Sequence, residues 1–129
     1  MKVLSVLLID DNDVDNFIHR RVIDIMGFAE NVHACTSVKG AKDFIDALLK
    51  SNESLPNVIF LDLNMPGENG FAFLEWFSSI SAQHPNPSRI IILTSSNNQA
   101  DVDHVFSFSN VVKFITKPLK KEDLAQLAL

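Results

Sequence analysis

The sequence has few cysteines, the residues that cross-link small secreted proteins through disulfides: its 129 residues include one, Cys35. One cysteine can form neither an internal disulfide nor a cysteine-based zinc site, and such a chain suits a reducing compartment. We therefore expect a cytoplasmic protein. Glycine and proline are also scarce, at 4 and 5 residues, which excludes collagen-like and low-complexity sequence.

Basic residues are also fewer than acidic ones: the chain has 11 Lys and Arg and 16 Asp and Glu, which gives a formal net charge of −5. Without a basic cluster the chain lacks the electrostatic footprint that binds a phosphate backbone, so we expect no direct nucleic-acid contact. Long hydrophobic runs are missing too. The apolar start, Val3–Ile9, is too short to cross a bilayer and continues directly into Asp10 and Asp11, so we predict no membrane span and no signal peptide.

What the chain does contain is a hydrophobic fraction of 47%, which suits one soluble domain with a single core. Three short runs rich in β-branched residues predict strands buried on both faces, as in a parallel sheet. These runs are Val3–Ile9, Val58–Leu61 and Ile90–Leu93, and two weaker strand candidates are Val32–Cys35 and Val111–Ile115.

Between the strands, the apolar residues recur with the helical period of about 3.6 residues. The first helix is predicted to end at Gly27 as a left-handed C-cap, and Ser37 is a candidate N-cap for the second. The predicted apolar face of the first helix comprises Val14, Phe17, Ile18, Val22 and Ile25. The apolar positions of the later helices are Val38, Ala41, Ile45 and Leu48, then Phe71, Leu74, Phe77 and Ile80, then Val102, Val105 and Phe106, and finally Leu124, Leu127 and Ala128.

Strand and helix alternate over the whole chain, which predicts parallel strands joined by right-handed crossovers. The predicted fold is therefore an α/β, doubly wound (βα)5 sandwich with a five-stranded sheet between two helix layers. The linker-like stretches Ser51–Asn57 and Ala82–Ser88 fall inside this alternation, so we interpret them as loops of one domain covering residues 1–129.

Polar residues gather where the predicted strands end, which is where open α/β sheets bind their ligands. The first strand ends in Asp10 and Asp11, the third in Asp62, the fourth in Thr94 and the fifth in Lys117. Three carboxylates at one edge repel one another unless a cation neutralises them, and all-oxygen ligands favour a hard ion such as Mg²⁺. The sequence therefore predicts a magnesium site.

The same edge holds the parts needed for phosphoryl transfer. These are a carboxylate nucleophile, for which Asp62 is the candidate, a metal beside it, and the hydroxyl of Thr94 and ammonium of Lys117 for the phosphoryl oxygens. With Met65-Pro66-Gly67, Gly70 and Pro118 added, this set of motifs resembles the receiver domain of bacterial response regulators over essentially the whole chain.

The resemblance implies a flavodoxin-like fold and a signalling switch of a two-component system, not a metabolic enzyme. Asp62 would accept a phosphoryl group from a histidine kinase or a histidine phosphotransfer protein. Asp11 would ligate Mg²⁺ directly, Asp10 mainly through water, and the backbone carbonyl of Asn64 would complete the protein ligands together with Asp62.

By the same resemblance, Thr94 would bind a phosphoryl oxygen and Lys117 would pair with the phosphoryl group. Phe114 would be the rotating aromatic of the switch, in a position where many members have tyrosine. Pro118 would follow a cis peptide bond. The output would be a protein contact on the surface of the fourth helix, fifth strand and fifth helix, where we expect Val105 and Phe106 to pack on the sheet more than Phe108 does.

Two other functions compete with this interpretation. A receiver-like binding module that signals without phosphate would not need the complete set of site residues. An aspartate-dependent phosphatase would need a general acid two residues after Asp62, where the chain has Asn64. The run that begins at Asp11 imitates the start of an EF-hand loop, but Asn16 and Val22 stand where that loop requires Gly and Glu.

The 4 histidines lie on separate predicted elements without the spacing of metal ligands. We expect them to be surface residues. They are His19, His33, His84 and His104.

Overall fold

The computed structural model of the chain describes residues 3–81 and 88–127, and in them five strands alternate with five helices. The strands are β1 (Val3–Ile9), β2 (Ala29–Cys35), β3 (Val58–Leu61), β4 (Arg89–Thr94) and β5 (Val111–Thr116). The helices are α1 (Asp13–Ile25), α2 (Val38–Lys50), α3 (Gly70–Ser81), α4 (Gln99–Val105) and α5 (Lys121–Ala125).

The strands form one parallel sheet in the order β2-β1-β3-β4-β5. From β1 the chain first steps outward to β2 and then returns to the other side of β1, so the strand order reverses between β1 and β3. The predicted doubly wound fold is confirmed. Since all five strands run the same way, their carboxyl ends share one edge, and the reversal point lies in the middle of it.

The core lies on both faces of the sheet, because β3 and the second half of β1, residues 6–9, are buried on each side. Alternate residues of these strands enter two separate clusters, as the pleat requires. One cluster contains Leu7, Ile9, Ile59 and Leu61, and the other contains Val6, Leu8, Val58 and Phe60. Continuous burial explains why residues 6–9 and Val58–Leu61 are visible in the sequence as unbroken apolar runs.

Helix ends follow the predicted capping residues. Gly27 has a φ of +58° and its N–H donates to the carbonyl of Asp24, while the N–H of Phe28 donates to that of Ile23. These two bonds form a Schellman motif at the end of α1. At the start of α2, the side chain of Ser37 accepts from the N–H of Gly40 at 2.9 Å.

α1 has the predicted apolar face, but most of that face points to solvent and not to the core; Val22 alone among its five residues is partly buried and packs against the core. Val14, Phe17 and Ile25 are 64%, 63% and 57% exposed. The residues that α1 buries are Asn16, His19 and Ile23. At about 100° per residue these lie on the opposite side of the helix, and the Asn16 side chain donates to the carbonyl of Asp10 at 2.9 Å. Polar contacts beneath the first strand end, which hydrophobic periodicity does not detect, therefore set the rotation of α1.

Around α4 the structure corrects a second expectation. Val105 is fully buried, but Phe106 is 46% exposed, whereas Phe108 packs against the core. The helix ends at Val105 and Phe106 is its C-cap residue, so the next residues leave the helical path and the aromatic that turns inward is Phe108.

Several boundaries differ from the sequence prediction: β4 extends one residue further at each end, to Arg89 and Thr94, and β5 extends one residue further, to Thr116. β2 begins at Ala29 instead of Val32, because backbone pairing with β1 holds its polar start in the sheet. α5 begins after Lys120, whose N–H donates to the carboxylate of Asp123. Leu124 of α5 is buried as predicted, while Ala128 and residues 82–87 of the predicted loop lie outside the described residues. Over residues 3–81 and 88–127, the helices are too short or too polar to cross a membrane.

The buried thiol of Cys35 gives a direct test of the core at the end of β2. Burial raises the pKa of this thiol from 9.0 to about 11. Because the folded state holds the proton more tightly than the unfolded chain, this group's contribution to stability is complete below pH 9.0 and is lost as the pH rises through about 11. We expect ultraviolet titration of the thiolate to give a pKa of about 11 in the native protein and about 9.0 in denaturant.

The chain contains no tyrosine, so tyrosinate absorbance does not interfere with that titration. A Cys35→Ser variant provides the baseline. A native thiol that titrates at its ordinary pKa would show that the end of β2 is open to solvent.

Candidate functional site

The centre of the site is built by two neighbouring strand ends. Ile9 of β1 pairs with Leu61 of β3, so the residues that follow them, Asp10 and Asp62, emerge side by side. The N–H of Asp62 donates to the carbonyl of Ile9 at 3.0 Å. Only 4% of Asp10 and 5% of Asp62 is exposed, and the sheet register thus holds two carboxylates together in a nearly dry position.

Asp11 joins these two residues to form what we call the acid cluster: Asp10, Asp11 and Asp62. One carboxylate oxygen from each residue lies within 4.8 Å of the others, and Asp11 is exposed while its two partners are buried. Three hard oxygen donors, open to solvent on one side, are the ligands that Mg²⁺ takes in proteins. The residues present therefore fit the predicted cation.

Lys117 supplies positive charge to this edge. Its Nζ lies 2.6 Å from Asp10 Oδ2, 2.9 Å from Asp15 Oδ2 and 3.2 Å from Asp62 Oδ2. Burial lowers the pKa of Lys117, but the hydrogen bonds to Asp10 and Asp15 and the charge of Asp62 outweigh it and hold the pKa above its ordinary value. The ammonium stays protonated, but the three carboxylates that contact it and the neighbouring carboxylate of Asp11 outnumber this one positive charge.

Backbone donors orient the two buried carboxylates. Oδ1 of Asp10 accepts from the N–H of Asn12 at 3.0 Å, and Oδ1 of Asp62 accepts from the N–H of Asn64 at 3.2 Å. In each residue one oxygen is thus held by the following loop and the other by Lys117. Burial nevertheless raises the pKa of Asp10, and the neighbouring charge of Asp62 adds to that rise.

Beneath the acid cluster lie Asn16 and His19, which line a small space together with Asp10, Asp62 and apolar residues of the strands. His19 is buried, so its prediction as a surface residue is wrong. Its burial lowers the pKa of the imidazole, and the charge of Lys117 lowers it further. Within the described residues, Oδ1 of Asn16 is buried and has no hydrogen-bond partner.

Two other histidines are exposed, as predicted, and each stacks on a phenylalanine. The ring centroids are 4.0 Å apart for His33 and Phe44, and 4.5 Å apart for His104 and Phe71. His84 lies outside the described residues.

The remaining predicted residues lie on or beside the same edge. Thr94 is the last residue of β4 and fully buried, and its carbonyl accepts from the N–H of Lys117 at 2.8 Å. The Lys117–Pro118 peptide bond is cis. Phe114 of β5 is partly buried against the core. The predicted roles of Thr94 and Phe114 and of the Asn64 carbonyl stay predictions at this point.

The site residue that the sequence analysis missed is Asp15. It lies in the first turn of α1 and contacts Lys117 from a helix, not from a strand end. Hydrophobic periodicity carries no signal for this contact, because the contact depends on how α1 is rotated about its axis.

With this geometry in place, comparison with known proteins defines the class. The model of the response regulator receiver domain matches residues 6–129, and the chain belongs to that family. The crystal structure of a two-component response regulator from Cytophaga hutchinsonii superposes with a TM-score of 0.89 at 30% identity, covering 97% of this chain and 93% of that one.

Among curated proteins, the chain is similar to the probable methanogenesis regulatory protein FilR2 of Methanothrix harundinacea, with 27% identity over 92% of this chain and 75% of that protein. It is also similar to the two-component response regulator ORR1 of rice, Oryza sativa, with 27% identity over 97% of this chain. The chain spans about half of that rice protein, 54%. The receiver domain is a signalling module of two-component systems, and this chain has its fold.

Gly70, at the start of α3, allows the helix to approach the site closely. Its N–H donates to the carbonyl of Leu63 at 3.1 Å. A Cβ built on Gly70 would lie 2.6 Å from the carbonyl oxygen of Asp62 and 2.9 Å from Cα of Leu63. Both contacts are with backbone, so a side chain here would push the loop that carries Asp62.

We predict that Gly70→Ala lowers the free energy of unfolding by about 1–3 kcal/mol, the usual range for overpacking a tight contact. The matched control is Gly40→Ala in α2, where the added Cβ would meet two side-chain atoms and no backbone: Oγ of Ser37 at 3.2 Å and Cβ of Cys35 at 4.0 Å. Urea unfolding measures both. Equal stabilities of the two variants would contradict the close approach of α3 to the site.

Proposed function

We propose that this receiver domain is a phosphorylation switch in which Asp62 accepts a phosphoryl group in the presence of Mg²⁺. The observation that carries the proposal is the position of Asp62: a buried carboxylate in contact with Lys117, with an oxygen that lies within 4.8 Å of a carboxylate oxygen of Asp10 and of Asp11. Buried, hydrogen-bonded carboxylates of this kind occur where chemistry needs a fixed nucleophile.

The cation would be held by the acid cluster, with the backbone carbonyl of Asn64 as a further ligand. When bound, Mg²⁺ supplies charge neutralisation between the incoming phosphoryl oxygens and the carboxylates. The composition of the site supports a bound cation, because the three carboxylates of the acid cluster outnumber the single ammonium of Lys117.

In the transfer, an oxygen of Asp62 forms a bond to phosphorus while the bond from phosphorus to the donor histidine nitrogen breaks, and the released imidazole takes up a proton. Lys117 already contacts Asp62 at 3.2 Å, so its ammonium can pair with a phosphoryl oxygen after a small movement. Thr94, at the end of the neighbouring strand, would donate its hydroxyl hydrogen to another. Both interactions stabilise the charge that develops on the phosphoryl group.

The exposed face of α1 suits the phosphodonor partner, a histidine kinase or a histidine phosphotransfer protein. Val14, Phe17 and Ile18 are solvent-exposed apolar residues on the helix that begins beside Asp11. Isolated exposed apolar residues are ordinary, but several on one helix face next to a reactive group favour a protein contact.

For the output, we propose the surface of α4, β5 and α5, where Phe106 and Val112 are exposed. Movement of Thr94 toward the phosphoryl group would open space beside β5, into which Phe114 could turn. Because Phe114 lacks the hydroxyl of a tyrosine, packing alone would stabilise its inward position. This coupling between site and surface stays a prediction.

A receiver-like module that binds partners without phosphate is the alternative, and it is not favoured. Such a module has no need of an ammonium that contacts two carboxylates of the acid cluster at 2.6 and 3.2 Å. The cytoplasmic location expected from the single cysteine also stays a prediction.

Phosphorylation of Asp62 is tested by incubating the protein with acetyl phosphate and Mg²⁺ and measuring the intact mass. We expect one added phosphoryl group, and we expect Asp62→Asn to take up none. Asp101→Asn in α4 is the matched control, since it removes the same charge outside the acid cluster and outside the contacts of Lys117, and it should be labelled normally. Peptide mapping that places the label on another residue would overturn the assignment.

Mg²⁺ binding is tested by thermal unfolding. A cation that binds only the folded acid cluster stabilises it by mass action, by about 2.7 kcal/mol when its concentration is 100 times the dissociation constant. We expect the melting temperature to rise with millimolar Mg²⁺, and Asp11→Asn to remove most of that rise.

Asp13→Asn is the matched control for that experiment, because Asp13 lies two residues away in the first turn of α1 and outside the acid cluster. It should keep the response to Mg²⁺. If the unmodified protein shows no response, the metal site is wrong.

A further inference from the structure

We propose that Asp15 is a positioning residue for Lys117: it anchors the ammonium at the site while the other two carboxylates serve the cation and the phosphoryl group. This inference deepens the proposed function and rests on it. Asp15 lies outside the acid cluster, and its contact with Lys117 is the observation that points to this role.

The contact is short and spans the fold. Oδ2 of Asp15 lies 2.9 Å from Nζ of Lys117, although the two residues are 102 positions apart in the chain. The lysine side chain is 14% exposed and that of Asp15 is 33% exposed, so the pair lies at the wall of the site and not on the open surface. Partial burial strengthens a charge-assisted hydrogen bond relative to a surface ion pair.

The helix start fixes Asp15 in place. Asn12 is the N-cap of α1, and its side chain accepts from the N–H of Val14 at 2.9 Å and from that of Asp15 at 3.1 Å. Inward rotation of the polar side of α1, secured by the bond from Asn16 to the Asp10 carbonyl, then directs Asp15 toward Lys117.

The three carboxylates that contact Lys117 differ in whether they also belong to the acid cluster. An ammonium has three hydrogens to donate, and the contacts to Asp10, Asp15 and Asp62 match that number. Asp10 and Asp62 belong to the acid cluster, whereas Asp15 does not. Once the acid cluster binds its cation and Asp62 carries a phosphoryl group, Asp15 is the partner that remains available to Lys117.

An anchor of this kind matters because a lysine side chain is long and flexible. Without Asp15, Lys117 would depend entirely on carboxylates whose charge is partly neutralised during the reaction. The ammonium would then spend less time within reach of the phosphoryl oxygens, and misplacement of a charged group slows the chemistry it assists.

The experiment compares Asp15→Asn with Asp15→Glu and with Asp13→Asn. Asp13 lies in the same helical turn, so its substitution removes the same charge and controls for long-range electrostatics. In protein labelled with ¹⁵N-lysine and free of Mg²⁺, NMR measures hydrogen exchange of the Lys117 ammonium, assigned with Lys117→Arg. We expect exchange roughly tenfold faster in Asp15→Asn, for the loss of one charge-assisted hydrogen bond, with unchanged exchange in Asp13→Asn and partial recovery in Asp15→Glu.

The second measurement is the rate of phosphorylation by acetyl phosphate with Mg²⁺. We expect a fall of roughly tenfold in Asp15→Asn, while its Mg²⁺ affinity changes no more than that of Asp13→Asn. If Asp15→Asn matches Asp13→Asn in both measurements, the positioning role is wrong. If the unmodified protein takes up no phosphoryl group, the proposed function fails, but the exchange data still decide whether Asp15 holds Lys117.

Discussion

The structure depends most on one interaction, the ammonium of Lys117 surrounded by carboxylates from three elements. Asp10 follows β1, Asp62 follows β3 and Asp15 lies in α1, and each contacts Nζ within 3.2 Å. Two of these carboxylates are nearly dry, and leaving either unpaired would carry a large desolvation cost. The loop after β5 must therefore return to the edge formed by β1 and β3, and α1 must present a polar side to it.

The rotation of α1 follows from this constraint and has two consequences. Its inner side carries Asn16 and His19 beneath the acid cluster, and its outer side carries Phe17 and other apolar residues in contact with solvent. An amphipathic helix that turns its apolar face outward loses burial energy. The polar contacts at the site give a physical reason for that arrangement, and the partner proposed for the outer face would give a second.

The fold and the acid cluster could be predicted from the sequence, because both depend on patterns of short range. Continuous apolar strands identify β1 and β3, and parallel strands bring Asp10 and Asp62 to one edge wherever the helices lie. The contact of Asp15 and the burial of His19 could not be predicted. Both depend on the rotation of α1 about its axis, and periodicity locates an apolar face without showing whether the core or a partner covers it.

The most direct test of this account is a high-resolution crystal structure with Mg²⁺ and beryllofluoride, the analogue of the phosphoryl group, bound at Asp62. In that structure, we expect Nζ of Lys117 to leave the carboxylate of Asp62, to contact a fluoride and to keep its hydrogen bond to Asp15. A structure in which Lys117 stays on the carboxylates of the acid cluster without touching the fluoride would contradict it.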